Sequence, residues 1–420
     1  MAKYFQRSCC NISIKHVTLI STTILMVLII ILTAMLFMPE LTINTESSEP
    51  VYLGVSFCGN TTAEAKLLID KTKDYTNLFV LQSGPVSLNM TATTEICDYA
   101  TSQGLNIIVY FGWLNPKYPW QSLWIQDAPQ RYGNKFLGVY YYDEPGGIQL
   151  DYDWETYFIN LSSGLNVNRT RYEHDRPLFD SITGYLNGTV RDYDAAAQVY
   201  VAYMQIDRDL MFLKNNSITS FVSDYALFWW DYMGGYDVVL AQLGNNASIV
   251  QEIDLIKGAA HLQNKDWGAI VTWKYDEAPY LDSGEEIYKQ LSLAYQAGAK
   301  YLVIFDYPAI ENNPYGVLTD DHFEALQKLW TDINDAKSSI KRVSQVEAVL
   351  VLPRNYGWGM RHVDDRIWLW GSDEHSQMIW DISQKLVDRY GINLDIVYDD
   401  PQFPVTGKYP NIYYWNQTLT

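Results

Sequence analysis

The residues best equipped for chemistry are two adjacent acids, Asp143 and Glu144, in the run FLGVYYYDEPGG (136–147). The first half of that run is apolar, β-branched and aromatic, so it reads as a buried strand. A buried strand that ends in carboxylates at a loop presents a general acid. Pro145 is expected to hold Glu144 extended, and Gly146 and Gly147 let the chain turn away. The plain alternative makes Asp143 a cap and Glu144 a solvated loop charge. As chemistry, one carboxyl that protonates a leaving oxygen needs a second that attacks or activates water. Cleavage of a glycosidic bond through an oxocarbenium-like transition state asks for that pair.

Around these acids the body alternates short apolar runs with helical patterns. Strands are predicted at 51–57, 78–82, 105–113 and 136–142, within 218–230, and at 236–243, 267–273 and 301–307. Helices are predicted at about 62–75, 91–102, 193–214, 248–263, 283–297 and 320–335. Eight buried strands, most followed by a helix, predict an α/β fold, a (β/α)8 TIM barrel over 51–340, with 148–192 as a long insertion after strand four. After 345 the pattern changes. Strands at 347–353, 394–400 and 411–415 and a helix over 374–390 predict a small α/β C-terminal appendage, 345–420, packed on the barrel.

In such a barrel the site lies at the C-terminal strand ends. There the chain delivers Ser56 and Phe57, Gln82 and Ser83, Tyr110 and Trp113, and Asp143 and Glu144. Later strands deliver Asp224 with Trp229, Trp230 and Asp231, then Gln242, then Trp273 with Lys274, Asp276 and Glu277, and finally Asp306 and Tyr307. This face is rich in carboxylates, Tyr and Trp. Tyr110, Trp113, Asp224, Trp229, Trp230, Gln242, Trp273, Asp276 and Asp306 are the candidate substrate-binding residues, with the aromatics as sugar-stacking platforms.

Composition excludes several other classes. The net charge of -19 leaves nothing to replace phosphate counterions, so nucleic acid is not an expected partner. Six His and four Cys show no metal-ligand spacing, and neither a metal nor a cofactor is expected. There is no phosphate loop, no GxSxG elbow and no dinucleotide fingerprint. Cys58 and Cys97 are a candidate disulfide in an oxidising compartment.

Residues 17–38 (VTLISTTILMVLIIILTAMLFM) carry no charge and are long enough to span the hydrocarbon. Lys3, Arg7 and Lys15 precede them, and Glu40, Glu46 and Glu49 follow. The positive-inside bias predicts a cytoplasmic N-terminus (1–16), one transmembrane helix, a stalk (39–50) and a body on the extracellular side of the cell membrane. Sequons at Asn60, Asn89, Asn160, Asn168, Asn187, Asn215, Asn246 and Asn416 all follow the span.

With GVYYYDEP at strand four and an acidic loop after the Trp of strand seven, the chain resembles the TIM-barrel glycoside hydrolases. The tail, with VLVLPRNYGWGMR, DRIWLW and LDIVYDD, is similar to α/β segments appended to such barrels. The resemblance implies Glu144 as acid/base and Glu277 as nucleophile, with a carbohydrate substrate. Asp143 stands where that family usually has Asn, and Glu277 lies four residues past Trp273, so Asp276, Asp224 and Asp306 remain open as the second carboxyl. Two functions compete: a glycoside hydrolase, and a non-catalytic carbohydrate-binding or cell-surface structural protein on the same scaffold.

Overall fold

The computed structural model describes residues 50–112, 114–151, 191–244, 248–335, 337–338, 340–343 and 345–419. The span expected at 17–38, the flanking segments 1–16 and 39–49, most of the 148–192 insertion and Trp113 lie outside the described residues. Among the described residues no helix is long and apolar enough to cross a membrane.

Eight strands pair in parallel, each with the next and the last with the first, and close a barrel. They are β1 (Tyr52–Phe57), β2 (Leu78–Leu81), β3 (Asn106–Tyr110), β4 (Phe136–Tyr140), β5 (Ser220–Asp224), β6 (Val238–Leu243), β7 (Asp266–Val271) and β8 (Tyr301–Ile304). Alternation along each strand sends one set of side chains into the barrel and the other under the helices. Leu78, Val80, Ile108, Tyr140, Phe221, Val238, Leu240, Ile270, Tyr301 and Val303 form the inner cluster. Phe79, Val109, Val139, Tyr141, Val222 and Val239 pack outward in the second, larger one. That parity fixes which strand-end residues can face the mouth.

The helices follow the predicted pattern with two differences. Helix α1 (Thr62–Thr72) starts at a capping box in which Thr61 and Glu64 satisfy each other's backbone N–H groups. Helices α2 (Met90–Ser102) and α3 (Trp120–Tyr132) follow β2 and β3. The second of these occupies what the sequence suggested was an aromatic connection, because Trp124, Ile125, Ala128 and Tyr132 form one buried face. Helix α4 (Pro145–Asp151) starts directly after Glu144. The expected 193–214 helix is two, α5 (Tyr193–Gln205) and α6 (Arg208–Asn215). Asp207 breaks it by turning its carboxylate onto the N–H groups of Asp209 and Leu210, both at 2.9 Å. Then come α7 (Phe228–Gly234), α8 (Ile249–Gln263), α9 (Gly284–Gln296) and α10 (Asp320–Asn334).

The C-terminal region forms a parallel three-stranded sheet of β9 (Ala348–Leu352), β10 (Leu394–Tyr398) and β11 (Asn411–Tyr414), with β9 central. Helix α11 (Ser376–Tyr390) packs against it. Barrel helix α8 lies so near β10 that a Cβ on Gly258 would sit 2.6 Å from the Ile396 carbonyl oxygen, so only glycine fits. Beside that contact Lys257 is buried 3.4 Å from Asp254 and 3.4 Å from Asp395. Residues 50–420 form one compact unit, so barrel and sheet are a single body.

Cys58 and Cys97 are both free thiols, and the candidate disulfide between them is not formed. Cys97 belongs to the buried face of α2, whereas Cys58 lies just past the end of β1. Parity turns Cys58 toward the mouth.

Candidate active site

The inward parity of the strands puts a polar ring at the C-terminal mouth, with Gln82, Tyr110, Tyr140, Ser223 and Gln242 each at or just past a strand end. Short polar contacts link four of them, Gln82, Tyr140, Ser223 and Gln242. The Gln82 amide approaches the Tyr140 hydroxyl at 3.4 Å. Tyr140 and Ser223 are 2.5 Å apart, and the Gln242 amide donates to Ser223 at 2.8 Å. Both hydroxyls converge on Asp143. Tyr140 donates to its Oδ1 at 2.5 Å and Ser223 to the same oxygen at 2.8 Å. Tyr110 packs edge-on against Tyr140 at 5.3 Å.

Asp143 and Glu144 are both half-buried. Burial pushes the Asp143 carboxyl up to about 7, and the Glu144 charge adds to the rise against the Tyr140 and Ser223 hydroxyls. Burial also pushes Glu144 up, against the pull of the Gln242 amide and with the Asp151 charge adding. Two interacting carboxyls that both resist ionisation titrate as a pair.

The turn that carries them departs from the sequence expectation. Glu144 is not extended: its φ is 53°, and Tyr142 has φ 65°. Two non-glycine residues in the left-handed region within three positions are backbone strain of the kind held at functional sites. Tertiary bonds enforce it over the preference imposed by Pro145. The Glu144 N–H donates to the Ser223 carbonyl at 2.9 Å, and the Glu144 carbonyl accepts the Ile148 N–H at 2.9 Å, opening α4. Asp224 completes the clamp. Its carboxylate accepts the N–H groups of Gly146, Gly147 (2.8 Å), Tyr225 (2.7 Å) and Ala226 (3.2 Å).

Asp224 therefore holds the turn and does not face the mouth. Parity explains it: Phe221 and Ser223 point inward, so Asp224 points outward. Asp306 is outward for the same reason. It is buried and accepts the Val317 N–H at 3.1 Å, which pins the loop after β8. Burial pushes its carboxyl up to about 7, against the Val317 and Tyr307 N–H groups.

Trp229 and Trp230 do not line a groove. Both are buried under the C-terminal sheet, Trp230 at 4.8 Å from Trp368 and 4.4 Å from Tyr398, and Trp229 at 5.6 Å from Phe403. Trp273 does stand at the rim, with Tyr280 at 4.7 Å and the exposed Tyr307 at 5.3 Å. Asp276 and Glu277 are exposed on the loop beyond it. That loop is closed by backbone bonds from Tyr280 N–H to the Glu277 carbonyl (2.9 Å) and from Lys274 N–H to the Tyr280 carbonyl (2.8 Å).

Sequence reading passed over Tyr140, Ser223 and Arg361. Strand parity alone would have found the first two. Arg361 reaches from the C-terminal region to Asp151 at the end of α4 (2.8 Å), while also holding Asp365 (2.7 Å). Tyr225 donates to the same Asp151 at 2.6 Å, and the guanidinium lies over its ring. The appendage thus braces the helix that Glu144 begins. Among the described residues no group of His, Cys, Asp and Glu could hold a metal ion.

No family model matches the chain, and no curated protein matches it. Among solved structures, it is similar to a GH5_18 protein from Streptomyces cattleya solved with Manβ1-4GlcNAc, at 10% identity and TM-score 0.47, over 87% of this chain and 99% of that one. It is also similar to the catalytic module of a family 98 glycoside hydrolase from Streptococcus pneumoniae, at 13% identity and TM-score 0.46, over 88% of this chain and 66% of that one. A xylanase from Cellvibrio japonicus matches at 10% identity and TM-score 0.36, over 68% of this chain and 98% of that one. At such identities and scores the chemistry of the site rests on its own residues.

Proposed function

We propose that the chain is a glycoside hydrolase in which Glu144 protonates the leaving oxygen and later takes the proton of the attacking water. The observation that carries this reading is the Glu144 carboxyl itself, half-buried at the end of β4 and pushed up by burial beside a second carboxyl. A carboxyl whose burial favours its protonated form is suited to general-acid cleavage. The ring of amides and hydroxyls around the mouth suits sugar hydroxyls, and the Trp273–Tyr307 wall offers a stacking face. Glu277, the nucleophile that the family resemblance implies, joins this proposal only if its exposed loop closes over the mouth.

Turnover of a panel of aryl glycosides and polysaccharides by the full chain tests the reading, beside Glu144→Gln. A loss of about a hundredfold or more in the variant is the expected result. Sugar binding without turnover, unchanged in Glu144→Gln, would favour a non-catalytic carbohydrate-binding protein.

We also propose that residues 17–38 anchor the body outside the cell membrane as a glycoprotein. The uncharged span supports this, as does the exposure of the sequon residues Asn60, Asn89, Asn215 and Asn416. Mass loss on enzymatic removal of N-glycans, with residues 1–16 protected from protease in sealed cells, is the expected result.

A further inference from the structure

We infer that the groove between α2 and α3 seats the chain's own N-linked glycan, carried on Asn89. The inference rests on the glycoprotein reading and gives one of its glycans a place on the fold. Asn89 belongs to the sequon Asn89-Met90-Thr91 and is exposed at the head of α2. Its Oδ1 caps the helix by accepting the Ala92 N–H at 3.1 Å. A glycan is joined through Nδ2 and leaves the carbonyl oxygen an acceptor, so cap and glycan coexist. The cap therefore holds the amide, and what it carries, beside the first turn of α2.

The other two residues of the sequon, Met90 and Thr91, line a groove of about 1000 Å³ that runs between α2 and α3. Both helices begin on the mouth side of the barrel, after β2 and β3. Their first residues, Met90 and Trp120, therefore lie at the same end of the groove. That end is apolar and uncovered. Leu123 is 63% exposed, Met90 50%, and Leu88, one residue before Asn89, 44%. Apolar side chains gathered in this way mark a surface that something covers. A pyranose ring has an apolar C–H face and polar edges. The half-buried Trp120 beside these aliphatic groups suits such a face.

A glycan on Asn89 fits this end better than a second protein does. The net charge of -19 sets two copies of the chain against each other, whereas a neutral sugar meets no such repulsion. Lys66 is paired with Glu95 (2.7 Å) and Arg131 with Asp98 (2.5 Å), so the cations along the groove are committed and hold out no charge to an acidic partner. Tethering supplies the affinity. A sugar laid on an open apolar face binds weakly when free, but a short tether gives it an effective concentration on the order of millimolar. A contact of millimolar strength is then made much of the time.

The test produces the full chain in a host that glycosylates sequons, reads occupancy at Asn89 by mass spectrometry, and footprints the surface with hydroxyl radicals. Thr91→Ala removes the sequon yet leaves the Asn89 cap in place, and alanine suits a helix. Thr91→Ser keeps the sequon, and Thr418→Ala removes only the one at Asn416. Expected is oxidation of Met90, Trp120 and Leu123 lower by about threefold or more in the parent than in Thr91→Ala. The exposed Met378 of α11 labels equally in both, which shows the fold intact. Thr91→Ser and Thr418→Ala keep the parent's protection. A glycan on Asn89 with equal labelling of the groove in parent and Thr91→Ala would overturn the inference and leave the glycoprotein reading standing. A bare Asn89 beside other occupied sequons would do the same, as would protection lost in Thr418→Ala. No glycan at any sequon overturns both readings.

Discussion

The carboxylate of Asp224 accepts the N–H of Gly147 at 2.8 Å, so β5 fixes the turn that carries Glu144 at the end of β4. The same carboxylate takes the N–H groups of Gly146, Tyr225 and Ala226. Asp224→Ala strands those buried donors and is expected to cost at least about 2 kcal/mol. Asp224→Asn keeps one acceptor oxygen and costs less. Urea unfolding reads the order, and kcat falls in the same order with KM little changed, because Asp224 positions Glu144 without touching substrate.

Asp143 gives a pH-dependent prediction. Its carboxyl is raised from 3.8 to about 7 in the folded protein, chiefly by burial. A folded pKa above the unfolded value means that its contribution to stability is fully present below about 4 and is lost as pH rises through about 7. Asp143→Asn removes a group that disfavours folding once ionised. The variant is expected to match the parent near pH 4 and to be more stable at pH 8 by on the order of 2 kcal/mol, after discounting for its solvent access. Thermal melts at the two pH values check it; a gain of equal size at both would contradict it.

Arg361 links the C-terminal region to the site. It bonds Asp151 at 2.8 Å and Asp365 at 2.7 Å, and Asp365 is almost fully buried. Arg361→Ala leaves that buried charge unpaired and is expected to cost about 3–5 kcal/mol. Arg361→Lys loses the two-pronged grip on Asp365 and falls between. Denaturant midpoints measure the series.

Trp230 tests whether barrel and appendage are one cooperative body. It is fully buried against Trp368 and Tyr398. Trp230→Ala is expected to cost about 3–5 kcal/mol and to lower the melting of both parts together. Two separate transitions in the calorimetric trace would contradict the single-body view.

Much of the architecture was legible because hydrophobic period and strand count are local signals. The eight strand positions and the appended sheet follow from runs such as YLGVSF and AVLVL. The candidate site was legible at Asp143 and Glu144, which lie on the turn just past β4, and less so elsewhere. Asp224 and Asp306 looked equivalent to them by position, but each is one residue out of register with the inward set, and each spends its oxygens on backbone N–H groups. Trp229 and Trp230 looked like sugar platforms because a run of aromatics does not reveal which neighbour will cover it. Their partners, Trp368, Tyr398 and Phe403, lie more than a hundred residues on. The left-handed Glu144 was hidden for a similar reason, since Pro145 sets a local preference and long-range bonds from β5 override it.

Proton donation by Glu144 to the leaving oxygen matters most where the leaving group is a strong base. The most direct measurement is kcat/KM for the full chain and for Glu144→Gln across glycosides whose leaving groups run from dinitrophenyl, which needs no proton, to alkyl, which cannot leave without one. A loss of about a hundredfold or more is expected on the alkyl glycoside and little loss on the dinitrophenyl one. Equal losses across the series, or none, would contradict it.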